Sequence, residues 1–115
     1  MKRLHLIACL LASLTVPAAA ADAPSAKRGE PVFKTHCAAC HGVAGKGDGP
    51  AGKLLGTRPA NLTQSKAPDD YLKMLIAEGG DAMGRSAAMP AWGGTLSVPE
   101  IDSVVLHIRT LRQNN

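Results

Sequence analysis

The stretch Cys37-Ala38-Ala39-Cys40-His41 places two thiols and an imidazole within five residues. On a helix, residues three and four apart are neighbours, so Cys37, Cys40 and His41 project from one face. Two thiols one turn apart can each bond to the same planar cofactor. The histidine beside the second thiol is then held beneath the centre of that cofactor.

Cys-x-x-Cys-His is the attachment sequence of c-type haem, in which the thiols add to the two vinyl groups and the histidine binds iron. The alternatives fit less well. A redox Cys-x-x-Cys pair expects a preceding strand in a βαβ unit, which the pattern does not indicate. A structural zinc site needs four ligands, and no second cysteine pair is present. We therefore expect one haem c, covalently bound through Cys37 and Cys40, with His41 as an iron ligand.

The composition also favours a bound cofactor. The aromatic residues are Phe33, Tyr71 and Trp92 alone, whereas glycine and proline supply 12 and 8 of the 115 residues. A loop-rich chain with few large side chains needs a covalent cross-link or a bound cofactor to complete its core. Cys37 and Cys40 are too close in sequence to clamp distant segments as a disulfide.

Residues 1–21 are predicted to be a cleaved signal peptide, which leaves residues 22–115 as one domain. Met1-Lys2-Arg3 is a basic start, an apolar run follows, and alanines near Ala21 supply the cleavage site. Cys9 ends a lipoprotein-like box, but it lies too early for that interpretation. Since no second apolar run follows, we expect a soluble mature chain in the periplasm, without a membrane span.

The charge balance excludes one class of partner. With Lys2 and Arg3 removed, the 13 basic residues fall to 11 against 9 acidic ones, a net charge near +2. There is no basic run and almost no aromatic residue to stack on bases, so nucleic-acid binding is not expected.

Apolar periodicity predicts an all-α fold of three or more short helices joined by long loops. The expected order is a helix from about Ser25 or Pro31 to Cys40, a glycine-rich loop from Gly42 to Gly56, a helix from Pro68 to Glu78, a loop over 79–95 and a final helix. Ser97 and Glu100 predict a capping box at the start of that last helix.

From about Gly29 to Leu111, the chain resembles a class I c-type cytochrome. The resemblance is carried by Cys-Ala-Ala-Cys-His-Gly, Gly-Lys-Gly-Asp-Gly-Pro, Met-Pro-Ala-Trp and a terminal Ile-Arg-Thr-Leu. It implies a small all-α cytochrome c fold wrapped around one haem. It also implies that Gly29 and Phe33 meet the last helix, where His107 stands in place of the family's usual aromatic residue.

The resemblance implies Met89 as the second axial ligand. A neutral thioether favours ferrous iron and raises the reduction potential, which suits an electron acceptor. Met83 is the alternative ligand, and Met74 is expected to lie in the core. The alternative is that Met89 only fills a gap in the core and does not bind iron.

Further site residues are assigned by the same resemblance. The carbonyl of Pro50 is expected to accept a hydrogen bond from His41, which fixes the orientation of the imidazole. Arg58 and Trp92 are expected to donate to the haem propionates.

The expected function is single-electron transfer in the periplasm, without transformation of a substrate. Expected partners are periplasmic or membrane-bound redox proteins met transiently, and the sequence leaves the oligomeric state open. One alternative is a haem c subunit of a periplasmic dehydrogenase or oxidase complex. Others are a haem protein with an iron site open to gas or peroxide, and a metal-free module. Lysines around the site are interpreted as soluble surface rather than a docking ring.

Overall fold

A computed structural model describes residues 23–114 of the chain as five α-helices and one 3₁₀ turn. They are α1 (Ala26–His36), α2 (Ala38–His41), α3 (Pro50–Leu54), the 3₁₀ turn (Leu62–Gln64), α4 (Asp69–Ala82) and α5 (Val98–Gln113). The described part contains no strand, which confirms the all-α prediction. The predicted signal peptide lies outside the described residues.

Helices α1 and α5 cross at a glycine. A Cβ atom on Gly29 would lie only 1.9 Å from the carbonyl oxygen of Ser103, so no other residue permits this approach. One turn further along α1, the fully buried ring of Phe33 packs against His107 at 5.1 Å between centroids. The expectation that Gly29 and Phe33 meet the last helix is confirmed.

Helix α1 begins at the earlier of the two predicted starts. The hydroxyl of Ser25 caps it by accepting from the N–H of Arg28, and the helix continues through Pro31. Proline removes one helical N–H. Pro31 therefore cannot donate a hydrogen bond to the carbonyl of Lys27. Both residues are exposed, so water can hydrogen-bond to that carbonyl instead.

Helix α5 begins with the predicted capping box. The Ser97 hydroxyl accepts from the Glu100 N–H, and the Glu100 carboxylate accepts from the Ser97 N–H at 2.8 Å. The helix then buries an apolar stripe comprising Ile101, Val104, Val105 and Ile108.

The middle of the chain differs from the prediction. The segment expected to be all loop from Gly42 to Gly56 contains the short helix α3. Helix α4 continues to Ala82, but it kinks at Gly79, whose φ is 81°. Met74 was expected in the core; this prediction is wrong, since the residue is 55% exposed.

The core consists mainly of apolar side chains from α1, α4 and α5, and it also includes Ala38 of α2 and Leu62 of the 3₁₀ turn. Its members include Phe33, Leu72, Ile76, Val104 and Ile108. Among residues 23–114, no helix is both long and apolar enough to cross a membrane.

Candidate haem site

A cavity of about 610 Å³ opens beside the core and brings the predicted ligands together. Cys37, Cys40, His41 and Met89 all line it. The volume lies within the roughly 300–1,000 Å³ typical of cofactor and ligand clefts. Met83 is not among the lining residues, which favours Met89 over the alternative methionine.

The wall of the cavity is mainly apolar. It includes Phe33, Leu55, Leu62, Tyr71, Leu72, Leu75, Ile76, Trp92, Val104 and Ile108. All three aromatic residues of the chain, Phe33, Tyr71 and Trp92, thus contribute to this wall. Apolar surroundings keep water from a bound cofactor and hold the local dielectric constant low.

The imidazole of His41 is oriented by Ala60 and not by Pro50. His41 Nδ1 lies 3.1 Å from the carbonyl oxygen of Ala60. Because a carbonyl can only accept, Nδ1 carries the proton in this hydrogen bond, which leaves Nε2 free to bind a metal.

The Pro50 prediction is therefore corrected. Pro50 is the first residue of α3 and does not line the cavity. The loop before α3 hydrogen-bonds to α2 through its own glycines, Gly47 to the His41 carbonyl and Gly49 to the Cys40 carbonyl. The segment that passes the His41 ring is the one after α3, where Ala60 lies.

His41 is held in the form that binds iron. Burial lowers the pKa of His41, because desolvation disfavours the charged ring, and the hydrogen bond to the Ala60 carbonyl opposes this effect. The neutral imidazole that results is the species that coordinates a metal.

The two thiols remain separate and are available for attachment. Cys37 is buried and Cys40 half-buried, and no disulfide joins them. Burial raises the pKa of Cys37 to about 11, and the neighbouring Cys40 adds to the effect. Since the thiolate is the form that attacks disulfides, a raised pKa makes Cys37 less reactive in thiol–disulfide exchange.

Met89 is positioned by Gly80, which lies just beyond the predicted end of the middle helix at Glu78. The Gly80 N–H donates to the Met89 carbonyl at 2.9 Å. A Cβ on Gly80 would lie 2.0 Å from the Ser86 carbonyl oxygen and 3.1 Å from Met89 Cβ. On the far side of Met89, the N–H of Trp92 donates to the Ile76 carbonyl at 2.9 Å. The Met89 segment is thus fastened to α4 at both ends.

The cavity lining includes side chains with N–H groups that can donate hydrogen bonds to an anionic group. Arg58 and Trp92, which the sequence predicted, are both present, and Arg85 joins them from the loop that carries Met89. Trp92 packs against His36 with 4.9 Å between ring centroids. Its indole N–H has no hydrogen-bond partner in the described part of the chain. Arg85 was missed because a single loop arginine carries no pattern.

This donor set fits a haem c. Two free thiols lie one turn apart, an imidazole is fixed through its Nδ1, and a thioether comes from a separate segment of the same apolar cavity. Such a combination of ligands is the one found in His/Met cytochromes c.

A family model described as "Cytochrome C oxidase, cbb3-type, subunit III" matches residues 24–108. The chain belongs to this family. As a member of the cbb3-type subunit III family, it is a c-type cytochrome domain whose cofactor is haem c, which confirms the predicted resemblance.

Two curated relatives are cbb3-type oxidase subunits. The chain is 35% identical over 102 residues to the cbb3-type cytochrome c oxidase subunit FixP of Azorhizobium caulinodans, with 82% of this chain covered. It is 29% identical over 90 residues to the cbb3-type cytochrome c oxidase subunit CcoP of Azospirillum brasilense, with 78% covered. Each match covers 30% of the relative, so this cbb3-type chain corresponds to less than a third of their length.

Proposed function

We propose that the chain works as the haem c subunit of an oxidase complex, where it passes single electrons and does not itself transform a substrate. The observation that carries the proposal is the match of residues 24–108 to subunit III of cbb3-type oxidases. Both named relatives are subunits of such oxidases. The comparisons therefore favour the subunit alternative over the free periplasmic carrier, which was the main expectation from the sequence.

In this proposal Cys37 and Cys40 would hold one haem covalently, and His41 and Met89 would bind its iron. When bound, the haem supplies one-electron redox chemistry at iron. Because two side chains would bind the iron, no coordination site would be left for oxygen or a substrate. That is the basis for assigning electron transfer rather than catalysis to this chain.

The chain's own residues keep that geometry fixed. The Ala60 carbonyl holds the His41 ring, and the Gly80 N–H holds the backbone of Met89. Fixed ligands reduce the rearrangement that accompanies each electron transfer. Arg58 and Trp92 are assigned as donors to the haem propionates, with Arg85 as an additional candidate on the Met89 side.

The proposed location is the periplasmic side of the membrane, reached through the leader over residues 1–21. Membrane-bound redox proteins of the oxidase complex would be the acceptors. The electron donor would meet the domain in a weak and short-lived encounter, as is usual among redox proteins.

The first arm of the test examines iron ligation. Visible spectra are recorded for the protein expressed with the haem attachment machinery, beside Met89→Ala and the matched control Met83→Ala. We expect c-type bands on reduction, with a far-red ferric band that is lost in Met89→Ala and kept in Met83→Ala. If the wild type lacks this band and binds carbon monoxide at once, the open-site alternative replaces electron transfer.

The second arm separates the subunit from the free carrier. The tagged chain is purified from detergent-solubilised membranes and from the periplasmic fraction of its own host. We expect it to copurify with a catalytic oxidase subunit, and we expect a Cys37→Ser/Cys40→Ser control to abolish electron delivery through that complex. Recovery of the haem-loaded chain alone from the periplasmic fraction would contradict the subunit proposal and restore the carrier.

A further inference from the structure

A second cleft of about 500 Å³ lies beside the haem cavity. The two share a wall, since Thr57, Arg58 and Pro59 line both. The next residue, Ala60, is the one whose carbonyl holds His41. A molecule bound in this cleft would therefore lie close to His41, one of the two iron ligands in the proposed function.

The cleft is lined by cationic side chains that form no salt bridge within the described part of the chain. Lys46, Lys53 and Arg58 line it, and within residues 23–114 none of them forms a salt bridge. By contrast, Lys34 pairs with Glu30 at 2.7 Å, and Lys73 pairs with Asp102 at 2.9 Å. Cations that line one cleft repel one another unless a counter-ion binds, and a concave surface concentrates their field.

The uncharged polar groups of the cleft are also donors. Asn61 Oδ1 accepts from the backbone N–H of Thr63 at 3.0 Å and from its hydroxyl at 2.7 Å. This fixes the orientation of the amide and leaves its NH₂ group without a protein partner in the described part of the chain. The Thr57 hydroxyl is likewise uncommitted there. Asp48 is the one carboxylate in the lining.

We propose that this cleft binds a multivalent oxyanion of the phosphate class and that the bound anion lowers the reduction potential of the haem. Two lysines and two neutral donors against one carboxylate match the acceptor oxygens of such an ion, and Arg58, assigned above to a haem propionate, adds its positive charge from the shared wall. The volume accommodates a diphosphate as well as a single phosphate. The binding site goes beyond the proposed oxidase role, and only its coupling to the haem rests on the haem c of that proposal.

The coupling follows from charge. Ferric haem carries one more positive charge than ferrous haem, so an anion beyond the shared wall favours the ferric form. By linkage, the anion then binds the ferric protein more tightly, by the same factor as it shifts the redox equilibrium. A tenfold ratio of the two affinities corresponds to about 59 mV for one electron.

The binding arm uses the haem-loaded ferric protein, titrated calorimetrically with phosphate and with pyrophosphate at constant ionic strength. The test variant is Lys46→Gln/Lys53→Gln, and the control Lys27→Gln/Lys66→Gln removes the same charge from exposed positions outside the cleft. We expect the test variant to bind about tenfold more weakly or worse, because two charge-assisted contacts are lost. The control is expected to stay near wild type. Absence of saturable binding in the wild type, or equal weakening in both variants, overturns the site.

The redox arm measures the midpoint potential by spectroelectrochemistry as pyrophosphate is added. We expect a saturating fall in the wild type and in the control, and no fall in Lys46→Gln/Lys53→Gln. If calorimetry shows binding but the midpoint potential of the wild type does not change with added pyrophosphate, the coupling is overturned. Neither arm involves an oxidase, so failure of the subunit proposal appears only in the copurification experiment.

Discussion

Among single residues, His107 stands in the last helix where the resemblance to class I cytochromes implied an aromatic residue. The ring is buried between α1 and α5, where it packs against Phe33 with an interplanar angle of 54°. Burial lowers the pKa of His107, while Glu30 raises it and Lys34 lowers it by their charges. The folded protein therefore favours the neutral imidazole, which acts there as an aromatic packing group.

This preference makes stability depend on pH with a definite sign. Because the pKa of His107 is lower in the folded than in the unfolded chain, the unfolded chain takes up the proton first as the pH falls. The stabilising contribution is complete above the unfolded value, about pH 6.5, and is lost as the pH falls toward the folded pKa. We expect His107→Phe to keep the aromatic contact, about 0.5–1.5 kcal/mol, and to remove this pH dependence.

Urea unfolding of the haem-loaded protein at about pH 7.5 and about pH 5 measures the effect, since histidine titrates between these values. The free energy of unfolding of the wild type should fall more steeply toward pH 5 than that of His107→Phe. Parallel behaviour of the two proteins would show that His107 is not held neutral by the fold.

Among the elements, the segment from Gly79 to Gly93 decides whether Met89 reaches the cavity. We expect Gly80→Ala to push the segment away, because the new Cβ would collide with the Ser86 carbonyl at 2.0 Å. The cost should be about 1–3 kcal/mol in the free energy of unfolding, as for other overpacked sites. The far-red ferric band that reports Met89 ligation should weaken or disappear.

The matched control is Gly94→Ala, since a Cβ on Gly94 meets nothing within 4 Å and its φ is not positive. Gly94→Ala should keep both the band and the stability of the wild type. If Gly80→Ala retains an unaltered band, the Met89 segment does not depend on this close approach.

Helices α5 and α3 show which elements can be predicted from sequence. Helix α5 has a capping box and four turns of apolar periodicity, so both its start at Ser97 and its buried face could be predicted. Helix α3 has five residues and exposes Leu54, so no apolar stripe marks it. It owes its place to close packing on α2, where a Cβ on Gly49 would lie 2.3 Å from the Ala39 carbonyl oxygen.

The same contrast holds within the site. Cys37, Cys40, His41 and Met89, the residues proposed to hold haem, would act through side chains that only a few residue types can supply, so motif and resemblance point to them. The acceptor for His41 is a backbone carbonyl, which every residue has. Only the path of the loop decides that it comes from Ala60 and not from Pro50.

At the scale of the whole molecule, two regions of the core differ in how much they depend on haem. The crossing of α1 and α5 is closed by direct packing of Gly29, Phe33 and His107. Phe33, Val104 and Ile108 also line the cavity of about 610 Å³ that the cofactor has to fill, but α4 and the Met89 segment supply more of its wall. The chain has few large side chains with which to collapse such a space.

We therefore expect different parts of the fold to lose hydrogen-exchange protection to different extents when haem is not attached. In Cys37→Ser/Cys40→Ser, we expect amides of α4 and of residues 83–96 to exchange at least about a hundredfold faster than in the haem-loaded protein, because local opening no longer exposes a packed cofactor. Amides of α1 and α5 near their crossing should lose much less protection. Hydrogen exchange followed by mass spectrometry measures both regions in one sample. Uniform loss throughout would mean that haem holds the entire fold together, and full protection of α4 would mean that the cavity walls support themselves.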